Sequence, residues 1–289
     1  MADTSSMAEI RGIYISKLVE GFAEEGIILK NYCRVIPTSA REIRWYSKTA
    51  GFLTGPTSTD ITTTLIANTS SKSLPVAIEP SYTRTTSYVK KYFASSPMLS
   101  IEDIKDCDPD VWGDMLKDTV RAVNYQVDQR IQTVMTAAGC GTAAAVDEWD
   151  VDATCDPITD VLLGLESIRS YGYEINNVVL YLNPLEYKNL IRWLINVKGS
   201  SIPNFSSDKV ESGKMMEFLG CKVVVSENAT SDQATMFVPN KAVIWKEFMP
   251  ITSAVVDDAG IGKTVRVWCE GEAIRPNPYA VYKISNTAT

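Results

Sequence analysis

Apolar residues recur at Trp112, Leu116, Val120, Val123, Val127, Ile131 and Val134, at steps of four, four, three, four, four and three. The steps follow the 3.6-residue α-helical turn and predict one long helix over 109–138. Asp108 suits the N-cap, and Pro109 suits the first helical position, where an N–H would have no partner anyway. Asp110 and Asp114 put negative charge near the positive end of the helix dipole, and Gly139-Cys140-Gly141 ends the run. Thirty residues rising about 1.5 Å each make a rod of about 45 Å.

The segments before this helix are different in kind. Residues 1–24 open polar and then carry a helical stripe, Ile10, Ile13, Tyr14, Leu18 and Phe22. A short strand is expected over 27–35, a break at Pro37-Thr38-Ser39, and a second strand over Arg41–Tyr46. From 47 to 96, 20 of 50 residues are Ser or Thr and only seven are charged. The strand-like runs Thr62–Ala67 and Val76–Ile78 are interrupted by Gly55-Pro56, Asn68, Pro75 and Pro80. Tyr82–Phe93 then alternates at period two, with one polar face. The pattern predicts a long two-stranded excursion. A lone hairpin is marginally stable in water, so this arm needs another surface to lie on.

After the long helix the pattern turns ordinary. A Gly/Ala/Asp-rich connector fills 140–157, and a helix follows over Asp156–Tyr171 with Ile158, Val161, Leu162, Leu165 and Ile168 on one face. A buried-type strand, Asn177–Leu182, precedes a helix over Leu185–Val197 and a polar loop at 199–214. Strands are expected at Cys221–Ser226, Thr235–Val238 and Ala242–Trp245. Lys263–Cys269 and Tyr279–Ile284 read as paired strands around a turn at Pro276-Asn277-Pro278. No internal repeat is visible.

Composition narrows the chemistry. The 289 residues suffice for one large or two smaller cores, and 45% hydrophobic with 22% charged residues is typical of a globular protein. A net charge of −7 argues against a surface that holds nucleic acid by counterion release. Histidine is absent, which removes Ser-His-Asp and Cys-His activation and most transition-metal sites. The six cysteines, at 33, 107, 140, 155, 221 and 269, include no C-x-x-C pair and read as small hydrophobes of a reducing, cytoplasmic compartment. Neither a signal peptide nor a membrane-spanning run is expected.

Each candidate motif has a plainer reading. Gly260-Ile261-Gly262-Lys263-Thr264 resembles half a phosphate loop, but Asp257 stands where a glycine is required and a strand follows. A hairpin turn is expected there. Asp147, Glu148, Asp150, Asp152 and Asp156 suggest calcium, yet Cys155 and Val161 occupy the glycine and glutamate positions of such a loop, so a solvated acidic loop is expected. Gly51 and Gly55 read as turn residues, and Asp257-Asp258 as part of a polar loop. No catalytic, cofactor-binding or metal-ligating residue is nominated, and no cofactor is implied.

The order of parts, together with local phrasing, carries a resemblance. Ile101-Glu-Asp-Ile-Lys-Asp-Cys-Asp-Pro-Asp110 is an acidic lead-in to the long helix. Asn183-Pro-Leu-Glu-Tyr-Lys-Asn-Leu190 opens a helix after a strand, and Leu219-Gly-Cys-Lys-Val-Val-Val-Ser-Glu-Asn228 is a valine-rich strand after a loop. Asp258–Ile284 closes the chain on strands. In these features the sequence resembles the major capsid proteins of tailed phages and archaeal tailed viruses, the Hong Kong 97-type fold that encapsulins share. The resemblance implies an α+β subunit with an N-terminal arm, an extended β-hairpin loop, a long spine helix, and peripheral and axial domains. Mapped on this chain, the arm and first strands take 1–46 and the extended loop 47–96. The peripheral domain with the spine helix takes 97–155, the axial domain 156–256, and the closing peripheral strands 257–289.

The resemblance also implies a non-enzymatic shell protein. Its partners would be other copies of itself, in pentamers and hexamers around a double-stranded DNA genome, with any scaffolding, portal or decoration protein on a separate chain. Neither sequence-specific nucleic-acid binding nor membrane contact is implied. The expected location is the virion, after assembly in a host cytoplasm. Some members cross-link a loop Lys to a peripheral Asn with the help of a Glu. Lys72, Asn277, and Glu270 or Glu272 fall in the corresponding segments, but exposed Lys and Asn are common and that chemistry is not assigned. Three alternatives stay open: an encapsulin-type compartment holding a cargo enzyme, a histidine-free α/β enzyme, and a viral tail or fibre component.

Overall fold

A computed structural model describes residues 28–50, 79–106, 111–196 and 217–288. The expected helix in 1–24, the strand-like runs at Thr62–Ala67 and Val76–Ile78, the Asp108 cap and the 199–214 loop lie outside them.

The described residues fall into two units. One holds residues 91–106, 111–125 and 249–269; the other holds 28–50, 79–90, 126–196, 217–248 and 270–288. The larger unit is built on a mixed six-stranded sheet. Its strands are β6 (Gly141–Ala144), β7 (Val179–Leu182), β8 (Glu217–Phe218), β9 (Cys221–Val225), β10 (Gln233–Phe237) and β13 (Val281–Ser285), in the order β6-β13-β10-β7-β9-β8. The β7 segment Val-Leu-Tyr-Leu is buried along its whole length, as expected for a central strand with both faces covered. Helix α3 (Pro157–Ser170) contacts β13 and β6, and α4 (Pro184–Asn196) contacts β7.

Burial on α3 departs from the expected stripe. Val161, Leu165 and Ile168 are buried, but Leu162 is half exposed while Asp160 and Gly164 face inward. Gly164 lies so close to Met236 and Tyr282 that no larger residue fits without displacing one of them. The Asp156 carboxylate caps this helix at the N–H of Thr159, as its position before Pro157 predicts.

Also in the larger unit, β1 (Arg34–Pro37) pairs in parallel with the start of β11 (Ile244–Asp258). Residues expected to begin as a strand instead form a 3-10 turn, Leu29–Tyr32, because a distant carboxylate caps it (below). The strand β2 (Glu42–Ala50) pairs antiparallel with β3 (Ser81–Tyr88) as a separate two-stranded ribbon, so the strand expected at 41–46, outside the excursion, is the partner of the returning strand. The alternating run at 82–93 is two strands, not one. It breaks at Val89, whose N–H turns to the Arg41 carbonyl, and β4 (Lys90–Ser95) pairs with β12 (Gly262–Ile274).

In the smaller unit, the facing parts of β11 and β12 form a hairpin, and both β4 and β5 (Leu99–Ser100) pair with β12. The polar loop expected at Asp257-Asp258 is in fact the end of β11, which runs well past Trp245. Exposed residues alternate with half-buried ones from Ser253 to Asp257, and pairing with β12 satisfies the backbone that composition alone assigned to a loop. Gly260 turns the hairpin at φ +81°, and an ion pair from Lys263 to Asp257 spans it at 3.4 Å. Helix α1 (Ile101–Asp106) stands where only an acidic lead-in was expected.

The long helix α2 covers Val111–Met135, shorter at its C-terminal end than expected. Its 25 residues make about 37 Å. The chain leaves it through a turn with Gly139 at φ +93°. The strands at the C-terminal end are not partners of each other, contrary to the sequence pattern. β12 pairs with β11, whereas β13 joins β10 and β6 in the six-stranded sheet. Hydrogen bonding on both sides of β13 in a second sheet thus decides the placement that alternation left undetermined.

Candidate functional site

The β2–β3 ribbon presents two unlike faces, because side chains alternate across a strand. Ile43 and Trp45 share one face with Thr83, Thr85 and Ser87; Ile43 is buried, and the Trp45 indole donates to Ser87 Oγ at 3.3 Å. Glu42, Arg44 and Tyr46 share the other with Tyr82, Arg84, Thr86 and Tyr88. There Tyr46, Tyr82 and Tyr88 are 60%, 59% and 65% exposed. Cross-strand neighbours alternate aromatic with charged groups: Tyr88 faces Glu42, and Arg84 faces Tyr46. The Arg44 guanidinium bonds Glu42 at 2.6 Å and holds that carboxyl below its usual range. Three large aromatic rings on an exposed sheet face are the kind of surface that marks a contact site.

The chain leading into the ribbon is fastened by polar groups. Asp128 of α2 accepts the backbone N–H groups of Ile28, Leu29 and Lys30 at 2.6, 3.2 and 3.1 Å. Lys30 pairs with Glu247 at 2.6 Å and lies 5.7 Å from the Trp245 ring. Arg41 reaches Glu270 at 3.2 Å and stacks 5.2 Å from the Phe248 ring. One strand register further on, Arg130 gives two hydrogen bonds to Glu272 Oε1, at 2.8 and 2.5 Å. Sequence reasoning passed over Asp128 and Gln132, which interrupt the apolar stripe beside Val127 and Ile131. A charged residue on the buried face of a helix is a signal that a partner exists.

The residues tested for chemistry are occupied with structural tasks. Asp147 accepts from the Thr154 hydroxyl and the Glu148 N–H, which lowers its pKa, while Asp152 pairs with Arg192 and Asp156 caps α3. Among the described residues, no group of three Cys, Asp or Glu is placed to hold a metal ion. In the Gly260–Thr264 segment, Gly260 and Ile261 belong to the hairpin turn and Gly262 opens β12, packed on the Leu99 carbonyl. Asn277 donates to the Lys241 carbonyl at 3.4 Å, Glu270 and Glu272 hold arginines, and Lys72 lies outside the described residues. Cys33 is pushed up to about 12 and Cys221 to about 11 by burial, which makes both poor nucleophiles.

A cavity of about 470 Å³ opens in the larger unit, lined by Tyr32, Glu174, Asn176, Lys222, Asn240 and Lys241 among others. Lys222 sits 5.2 Å over the Tyr32 ring and Lys241 sits 5.9 Å over Tyr173. Its wall mixes both charges and holds no Ser, Thr or Cys. Two buried acids complete the polar interior. Asp160 accepts from Trp149 Nε1 and Val146 N–H, both at 2.9 Å, and Glu186 accepts from the Asp232 N–H at 2.6 Å. Burial raises the pKa of each.

The long helix, the extended ribbon and the sheet-based unit together define the Hong Kong 97-type capsid fold. No protein-family model and no curated protein matches the sequence. Solved structures do match. The capsid of the native GTA particle aligns with a TM-score of 0.72 at 12% identity, over 99% of this chain and 100% of that one. The capsid of cyanophage P-SCSP1u aligns at 0.71 and 12% identity, over 96% and 93%. The virus-like particle from Pyrococcus furiosus aligns at 0.60 and 12% identity, over 90% and 92%.

Proposed function

We propose that this chain is a major capsid protein, a non-enzymatic subunit that assembles through rings of five and six into an icosahedral shell around double-stranded DNA. The observation that carries the reading is the extent of the structural match. Capsid subunits align with this chain over nearly the full length of both partners. The exposed aromatic ribbon supports it, because such a surface gains stability only against another molecule. Closed symmetry then follows from repeating one heterologous contact by rotation.

In this reading residues 1–46 are the arm, 47–96 the extended loop, 97–155 and 257–289 the peripheral domain, and 156–256 the axial domain. The acidic balance of −7 suits a container that must release a packed polyanion. The virion is its place of work, and scaffold, portal or decoration proteins are separate chains. An encapsulin-type compartment is not favoured, since phage and GTA capsids dominate the structural matches.

Negative-stain microscopy with light scattering on the purified chain tests the proposal. Closed particles of uniform diameter, or rings of five and six, are the expected result. A compact monomer or dimer at every salt and crowding condition would refute it.

A further inference from the structure

Three oxygens inside the larger unit have no hydrogen-bond partner among the described residues: Glu186 Oε2, Asn189 Oδ1 and Thr287 Oγ1. Their residues are 0%, 1% and 0% exposed, and buried polar atoms are nearly always partnered. Glu186 and Asn189 stand three positions apart on the buried face of α4, so their side chains are neighbours. Hydrogen bonds bring the third residue to them. Glu186 Oε1 accepts the Asp232 N–H at 2.6 Å, and Asp232 Oδ1 accepts the Ala288 N–H at 3.0 Å. The Thr287 carbonyl accepts the Trp149 N–H at 2.9 Å, and Arg192 of α4 donates to the adjoining Asp150 carbonyl at 2.6 Å. The chain end is thereby tied to α4 on either side of Asn189.

Two carboxylates adjoin here, and neither has a Lys or Arg partner among the described residues. On α4 itself Lys188 is exposed, and Arg192 is held by Asp150 and Asp152. Burial, and after it the Asp232 charge, raise the pKa of Glu186. We propose that Glu186, Asn189, Asp232 and Thr287 form a calcium site within the subunit, with the three orphan oxygens as ligands and Asp232 supplying the second negative charge. A water would give these oxygens a donor but leave two carboxylates uncompensated, whereas a divalent cation answers both needs. The donors are carboxylate, amide and hydroxyl oxygens, a set that suits a hard cation. Calcium takes roughly six to eight such oxygens in flexible geometry, water included, while magnesium demands a tighter octahedron and gives up its water reluctantly. Asp232 is exposed and gives the ion a way in. With two acids and two neutral groups, the site differs from the clusters of three acids or cysteines that are missing among the described residues. It lies in one subunit and stands independently of the shell reading.

The test is calcium binding by the full chain after treatment with EDTA. Equilibrium dialysis against radiolabelled calcium should find one saturable ion per chain. At about 100-fold excess over its Kd, calcium should raise the melting temperature by roughly 5 °C relative to EDTA, and magnesium by less. Glu186→Gln should lose that shift, while Asp147→Asn, in the acidic loop outside the site, should keep it. Thr287→Val removes the orphan hydroxyl and keeps the shape. It should melt no lower than wild type in EDTA yet bind calcium about tenfold more weakly. If Glu186→Gln folds poorly, Thr287→Val and the wild-type titration still decide. The site is overturned by an absence of saturable binding, by equal shifts from magnesium, or by wild-type affinity in Thr287→Val. A shift lost in Asp147→Asn but kept in Glu186→Gln would place the ion in the acidic loop and overturn it equally.

Discussion

Asp128 takes the backbone N–H of Leu29 at 3.2 Å across 99 positions of sequence, and its two oxygens also take Ile28 and Lys30. A carboxylate that caps three successive N–H groups does from a distance what an N-cap residue does locally. It explains why this segment turns as a 3-10 helix although its sequence reads as a strand.

Removing that carboxylate leaves backbone donors buried without an acceptor. Asp128→Ala should cost about 2–4 kcal/mol in denaturant unfolding, and Asp128→Asn less, since one amide oxygen remains to accept. A change within about 0.5 kcal/mol for the alanine variant would mean the N–H groups find other partners.

The Arg130–Glu272 pair makes an asymmetric prediction. Glu272 is 2% exposed, so Arg130→Ala strands a buried carboxylate and should destabilise by about 3–5 kcal/mol. Replacing both, as Arg130→Met with Glu272→Met, should recover most of that loss, because an apolar pair of similar volume needs no desolvation. A double variant as unstable as the single one would show that the arginine acts through something other than charge compensation.

Asp160 sets a direction in pH. Burial raises its folded-state pKa above the ordinary aspartate value of 3.8. The folded form therefore binds the proton more tightly than the unfolded chain. The stability linked to that proton is complete below 3.8 and is lost as pH rises through the folded value. Thermal unfolding across this window should lose that component in Asp160→Asn. The amide retains one acceptor for two donors, Trp149 Nε1 and Val146 N–H, so the variant should also be weaker by about 1–3 kcal/mol at neutral pH. An unchanged pH profile would contradict the assignment.

Two glycines should respond differently to alanine. A Cβ on Gly271 would overlap the Trp245 indole and crowd the Lys246 carbonyl, neither of which can move freely within paired strands. Overpacking there should cost about 1–3 kcal/mol. At Gly164 the nearest obstacle is the Met236 thioether, a flexible chain end, so Gly164→Ala should cost less. Equal melting temperatures for the two variants would refute the packing argument.

Deleting residues 55–80 removes the centre of the Ser/Thr-rich excursion while keeping β2 and β3. The product should be soluble, with wild-type circular dichroism per residue, and should not assemble. Normal particles from the deletion would remove the excursion from the contacts that build the shell.

The sequence by itself determined the elements whose signal is local and periodic. The stripe Val123-Val127-Ile131 placed α2, Asp156-Pro157 started α3, and the apolar run at 179–182 became the central strand β7. Alternation marked strands at 41–46 and 82–93, but it was the structure that paired the first with the start of the second as the β2–β3 ribbon. Absence of histidine and acidic balance were likewise legible, since composition needs no fold. Tertiary structure alone decided what depends on residues far apart. It turned Leu29–Tyr32 into a 3-10 helix through Asp128, carried β11 on to Asp258 by pairing it with β12, and moved β13 into another sheet beside β10 and β6. It also buried Asp160 and Glu272 against Trp149 and Arg130. The reason is one of range. Helix and strand periodicity arises from neighbours a few residues apart, whereas sheet order and the partners of buried charges are settled only when distant segments share one interior.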